Sequence, residues 1–343
     1  MPRRPGPMPE PVAPNLPTVT FARDHPPAYV AAQVRSGAWI RVRHGAYLPA
    51  PTDPDVYDQR RRLALARIVA MKEQLACPFV LSHESAAMLW GLPLLAPPLR
   101  THIIQGWSPK RSVGADLVRH AHELPEEHRT TRLGHAVTTL ERAVADCAMA
   151  LDPREALMVA DAALHVGADR RRCLDILDGM AGRRGVVVAR EVLALADDGA
   201  ESPGESSARF ILLRAGLPAP ETQIEIRTDL GVFWADMGWR EWRALAEYDG
   251  RAKYEANGSA SEAVVQEKRR QGAIEESGWR VLRITKEDIR VPASLLRRIA
   301  RLVPPGALDG LRTRRMLNGP RSTSEAGPAR RGGVESGEIA PHS

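Results

Sequence analysis

Apolar and polar positions change period several times along the chain, and each change marks an element. From Val56 to Ala76, Leu63, Ala66, Ile68, Val69 and Met71 recur between charges at helical spacing, which predicts a long amphipathic helix. Tyr29 to Ser36 (YVAAQVRS) predicts a short helix ended by Gly37. IRVRHGAYL then alternates apolar and basic residues around His44-Gly45, the pattern of a two-stranded ribbon. HESAAMLW, with Ser82 as its cap, predicts a helix that stops at Gly91-Leu92-Pro93. Short strands are expected at Thr101–Gln105 and Leu117–His120. Helices are expected at Thr138–Ala150, Arg154–His165 and Val186–Ala196, with Pro153 entering the second and Gly185 preceding the third.

The run DDGAESPGES, from Asp197 to Ser206, breaks this pattern with Gly, Pro, Ser and acids. Beyond it a helix is expected at Glu205–Ala215, ended by Gly216 and Pro218. Three strands follow at Thr222–Arg227, Val232–Trp239 and Arg243–Asp249, then a helix at Ser261–Ser277 and a last strand, WRVLRI, from Trp279. The fold class is therefore α/β: a degenerate winged helix at 18–55, a mixed α/β domain at 56–196, a linker at 197–204 and an α/β sandwich at 205–303. Residues 1–17 and 312–343, rich in Pro, Gly, Ser and Arg without apolar period, are expected to be disordered tails.

A length of 343 residues accommodates two domains with their own cores. The net charge of +6 suggests a nucleic-acid partner, yet residues 1–10 and 310–343 supply +4 of it through eight arginines against four glutamates. DNA contact must then come from a local patch rather than a global field. In the ribbon, Ile40, Val42 and His44 share one face and Arg41 and Arg43 the other. With Arg35 at the end of the preceding helix, Arg35, Arg41, Arg43 and His44 are the expected DNA-binding residues, as in a winged helix. The alternative is an ordinary charged hairpin edge, protected from aggregation. Three cysteines without C-x-x-C spacing suggest neither disulfides nor zinc and fit a reducing cytoplasm. The proline-rich start lacks the apolar run of a signal peptide, and no segment approaches the roughly 18 apolar residues of a membrane span. His83, at a helix start beside Glu84, is expected to be a capping or surface residue. His102, His120, His122, His128 and His135 have no metal-ligand spacing on one helix face.

In ALAEYDG, alternation puts Leu245, Glu247 and Asp249 on one face of a strand, and a hairpin through Arg240–Trp242 brings Asp236 within reach across the ladder. Three converging carboxylates repel one another unless protonated or neutralised, and Mg²⁺ held by two or three oxygens is a common remedy. Lys253, four residues beyond Asp249, is placed to neutralise the cluster or help a nucleophile. Arg269, Arg270, Arg280 and Arg283 are available for phosphate. The alternative is a set of solvated strand-end charges.

The segments GESSARFILLRAGLP, ADMGWREWRALAEYDGRAKY and EKRRQGAIEESGWRVLRIT, about a quarter of the chain, resemble the actinobacterial domain related to very-short-patch-repair endonucleases, within the PD-(D/E)XK (restriction-endonuclease-like) superfamily. That resemblance implies a metal-dependent endodeoxyribonuclease, with Asp236 and Glu247 as metal ligands, the Tyr248 carbonyl as a third, and Glu205 as a supporting carboxylate. Asp249 stands where many relatives have the catalytic lysine, and Lys253-Tyr254 replaces a frequent histidine. The ribbon WIRVRHGAYL, with SHESAAMLWGLPLL and VTTLERAVADCA, resembles over residues 18–195 the antitoxin component of abortive-infection (AbiEi-type, type IV) toxin–antitoxin systems. The short, proline-interrupted stretch Phe21–Pro27 replaces earlier helices of that winged unit. The combined expectation is a cytoplasmic, DNA-associated protein carrying a Mg²⁺-dependent nuclease site, alternatively a non-catalytic regulator or antitoxin with a cognate toxin as partner.

Overall fold

The computed structural model describes residues 10–107, 115–250 and 260–318, which form a mixed α/β structure with three sheets. In the first sheet, β1 (Thr20–Phe21), β2 (Trp39–Arg43) and β3 (Ala46–Pro49) lie in the order β1-β3-β2, with α1 (Pro27–Arg35) beside them. Helix α2 (Val56–Gln74) starts where the Asp55 carboxylate accepts the Tyr57 and Asp58 amides, and it buries Ala66 and Ala70 against Val42, Ala46 and Leu48 of the ribbon.

The second sheet runs β6-β5-β4-β8-β7, built from β4 (Val80–Leu81), β5 (Thr101–Gln105), β6 (Leu117–Ala121), β7 (Arg129–Arg132) and β8 (His135–Thr138). β5 pairs with β6 in parallel, as β4 does with β8. Helix α3 (His83–Leu89) follows β4. α4 (Leu140–Ala150), α5 (Pro153–His165), α6 (Arg170–Asp178) and α7 (Val186–Leu195) then close over the largest core, which includes Leu81, Ile103, Val137, Leu157 and Leu177. The hairpin β7–β8 and helix α6 go beyond the apolar pattern, because four-residue strands about Leu133-Gly134 and an arginine-rich helix start carry too little period to declare themselves.

The third sheet, β12-β11-β10-β9, comprises β9 (Glu221–Thr228), β10 (Gly231–Trp239), β11 (Ala244–Tyr248) and β12 (Arg280–Ile284), with β11 and β12 parallel and the other pairs antiparallel. These strands match the expected ones within a residue or two. One face carries Met237, Trp239, Ala244 and Ala246 against α8 (Pro203–Ala215) and α11 (Pro292–Leu302). The other carries Ile224, Ile226, Ala235 and Leu245 against Ile274 of α9 (Ala260–Glu276) and Trp279. A short α10 (Lys286–Arg290), opened by a Thr285–Asp288 capping box, leads into α11.

Several segments expected to be loose are packed. Leu16 lies against the main core, and the Pro11 carbonyl accepts from Arg132 Nη2 at 2.9 Å. Gly91, at φ +76°, lets the Val12 carbonyl oxygen come within 2.1 Å of where a Cβ would stand. At the other end Leu317 is buried, and the Arg314 amide donates to the Arg214 carbonyl. The linker is pinned too: Asp197 N donates to Asp161 Oδ1 at 2.8 Å, and Thr222 Oγ1 donates to Asp197 Oδ1. Residues 1–9, 319–343 and Lys253 lie outside the described residues. Helix α8 belongs to both halves. Its Phe210 and Leu213 enter the large core while Ala208, Ile211 and Leu212 enter the core of the third sheet. Arg209, fully buried, pairs with Asp161 of α5 and donates to the Leu195 carbonyl at 2.7 Å. Among the described residues, no helix is long and apolar enough to cross a membrane.

Candidate functional site

Carboxylates from three elements, Glu205, Asp236 and Glu247, lie near enough for Asp236 to feel the charge of the other two. Glu247 lies on the β11 face that carries Leu245, turned toward α9 as alternation requires. Asp236 sits where β10 bends: the ladder to β9 skips it, and Gln223 opposite has a left-handed φ of +50°. Ala235 therefore packs on the α9 side while Met237 packs on the α8 side. The Asp236 carboxylate fills the gap by accepting the Tyr248 amide of β11 at 2.7 Å. Glu205 arrives from the first turn of α8. Gly204 makes that approach feasible, since a Cβ there would stand 1.9 Å from the Tyr248 ring.

Each acid already has partners. Both Glu247 oxygens take Arg270 Nη2 at 2.8 Å, and Arg283 Nη1 lies 3.3 Å from Oε2. Glu205 is shared with the helix cap, accepting from Ser202 Oγ at 2.7 Å and from Glu201 N at 2.8 Å. Among the described residues, Asp236 Oδ1 takes no hydrogen bond. Burial, then the neighbouring Glu205 charge and that of Glu247, push the Asp236 carboxyl up to about 7 against the opposing Tyr248 amide and Arg270. Burial also raises Glu205.

This geometry alters the expected trio. The third charge that Asp236 feels is Glu205, whereas Asp249 leaves the strand with its amide donating to the Ile284 carbonyl at 2.8 Å. Part of the repulsion that would demand a cation is met by arginine instead. Arg270 and Arg283, weighed as phosphate contacts, turn inward, and Arg270 is 5% exposed. The signal was present in the spacing: Arg270 lies three and four residues before Ala273 and Ile274, on the buried stripe of α9. Arg270 Nη1 is buried and finds no hydrogen-bond partner among the described residues.

The expected DNA-binding residues divide. Arg35, Arg41 and His44 are exposed, while a register shift between Arg41 and Arg43 turns Arg43 inward to Asp116 at 2.9 Å. Arg43 is thus spent on a contact within the fold. His83 corrects the expectation of a surface or capping residue. It is buried, and Ser82, at the cap position, makes no capping bond but lies 3.0 Å from His83 Nδ1. His83, His102 and His120, whose spacing suggested no ligand set, come together at the edges of β4, β5 and β6.

No family model matches the chain. Two curated proteins, "Uncharacterized protein MT2308" of Mycobacterium tuberculosis strain CDC 1551 / Oshkosh and "Uncharacterized protein Rv2248" of strain ATCC 25618 / H37Rv, are each 31% identical over 289 residues, spanning 81% of this chain and 97% of theirs. Among solved structures, the crystal structure of RV2827C protein from Mycobacterium tuberculosis covers 56% of this chain and 75% of its own, at 16% identity and a TM-score of 0.34.

Proposed function

We propose, for a chain that belongs to the family of these two mycobacterial proteins, a cytoplasmic, DNA-associated role in which the third-sheet domain cuts phosphodiester bonds with the help of Mg²⁺. The observation that carries the reading is that Asp236 of β10 feels the charges of both Glu205 of α8 and Glu247 of β11, while one of its oxygens takes no hydrogen bond among the described residues. The donor set is hard oxygen, which suits Mg²⁺. Asp236, Glu247 and the Tyr248 carbonyl would hold the ion, which supplies an activated water and charge neutralisation at the phosphate. Glu205 adds negative charge near Asp236, and Arg270 holds Glu247 in place through Nη2, which donates to both carboxylate oxygens. Exposed Arg35, Arg41 and His44 of the ribbon unit would supply contacts to the DNA backbone.

A second reading, a non-catalytic regulator or antitoxin with a toxin partner, is favoured by the arginine clamp that already occupies both Glu247 oxygens. Nicking of supercoiled plasmid in Mg²⁺ or Mn²⁺ separates the two. Native protein is expected to nick, with Asp236→Ala and Glu247→Ala reduced to background; equal background from all three excludes the nuclease. DNA binding that survives both substitutions and weakens in Arg41→Ala would then support the regulator.

A further inference from the structure

Away from the carboxylates, three imidazoles converge on one face of the second sheet. His102 pairs in the ladder with Val118, and His120 with Ile104, so the two histidines sit diagonally on the same face of β5 and β6. His83 joins them from the β4–α3 junction, where its φ of +50° is a left-handed conformation that non-glycine residues rarely adopt. One nitrogen of each ring lies within 4.8 Å of the other two. His120 Nε2 and His102 Nδ1 are 3.2 Å apart. Two nitrogens bound to one tetrahedral zinc at 2.0–2.1 Å are separated by roughly 3.3 Å.

Carboxylates frame the trio. Glu84 Oε2 lies 3.3 Å from His102 Nδ1, and Asp146 Oδ2 lies 4.0 Å from His83 Nδ1. Both oxygens are buried without a hydrogen-bond partner among the described residues, and Asp146 is only 4% exposed. One proton on His102 Nδ1 serves either His120 Nε2 or Glu84 but not both. Histidine ligands that bind through one nitrogen and face a carboxylate with the other are a recurrent feature of metal centres. Arg142, whose Nε donates to Asp146 at 2.9 Å, also lines a cleft with His122, His128 and Arg183.

We infer that His83, His102 and His120 form a site for a borderline transition-metal ion of the zinc type, with Asp146 orienting His83. His83 contributes Nε2, since its Nδ1 faces Ser82 and Asp146. Imidazole donors select zinc, cobalt, nickel or copper over Mg²⁺, so this centre is independent of the carboxylate site.

The test uses the full chain without a purification tag, stripped by chelator and titrated with Zn²⁺ against a chromophoric competitor. One equivalent should bind to native protein and to Asp236→Ala. It should be lost in His102→Gln and His120→Gln, and be roughly 10–100-fold weaker in Asp146→Asn, whose carboxylate faces His83 Nδ1. Circular dichroism checks that the variants fold. Should they not fold, the Co²⁺ derivative of the native chain decides: visible d–d bands of a tetrahedral nitrogen–oxygen site support the assignment, and a thiolate charge-transfer band or no band overturns it. Absence of saturable zinc binding, or unchanged binding in the glutamine variants, makes the trio a packed core of neutral rings and overturns the inference.

Discussion

Asp236 is the residue at which electrostatics and architecture meet. An aspartate with an unfolded value of about 3.9 that is held at about 7 in the folded chain binds a proton which the unfolded chain has already released between those pH values. Stability contributed by this residue is therefore full at low pH and falls as pH rises from about 4 to about 7. Asp236→Asn should remove that fall, so the wild-type minus variant difference in urea midpoint should decline across this window, and saturating Mg²⁺ should flatten the wild-type curve. A parallel pair of curves would deny Asp236 its raised value. The shared face of Glu247 and Leu245 was legible from strand alternation, whereas the approach of Asp236 required the β10–β11 hairpin to be assumed. The arginine partner of Glu247 was legible only in part, because α9 reveals that Arg270 faces inward but not which strand it meets.

At the scale of elements, the site depends on how closely α8 approaches the end of β11. Gly204 has no Cβ where the Tyr248 ring lies 1.9 Å away, and the next residue is Glu205. Gly204→Ala should force the ring or the helix start aside, costing about 1–3 kcal/mol in a denaturant titration as overpacking does, and it should reduce plasmid nicking with Asp236 and Glu247 still present. Wild-type nicking in this variant would detach Glu205 from the chemistry. The α8 start itself was readable from Ser202, Pro203 and Glu205, whose cap geometry is local. That β10 bends at Asp236 was not readable, since nothing in VFWADMGW announces that Gln223, 13 residues earlier, adopts a positive φ.

For the whole molecule, α8 makes the two halves one folding unit. Phe210 and Leu213 reach one core and Ile211 and Leu212 the other, and the buried Arg209–Asp161 pair ties α8 to α5. Arg209→Ala should cost about 3–5 kcal/mol, because it leaves Asp161 buried and unpaired. Wild-type urea unfolding should be a single transition; two separated transitions would show that α8 does not couple the halves. The amino-acid order by itself determined the α/β class, most strands and helices, and the shared face of Glu247 and Leu245, because alternation, helical period and capping act over a few residues. Tertiary structure alone decided that Glu205 rather than Asp249 stands beside Asp236, that Arg43 turns in to Asp116, that residues 197–204 are pinned, and that three histidines meet. Those outcomes join groups that are 18 to 73 residues apart in the chain, and only the packing of sheets and helices brings such groups together.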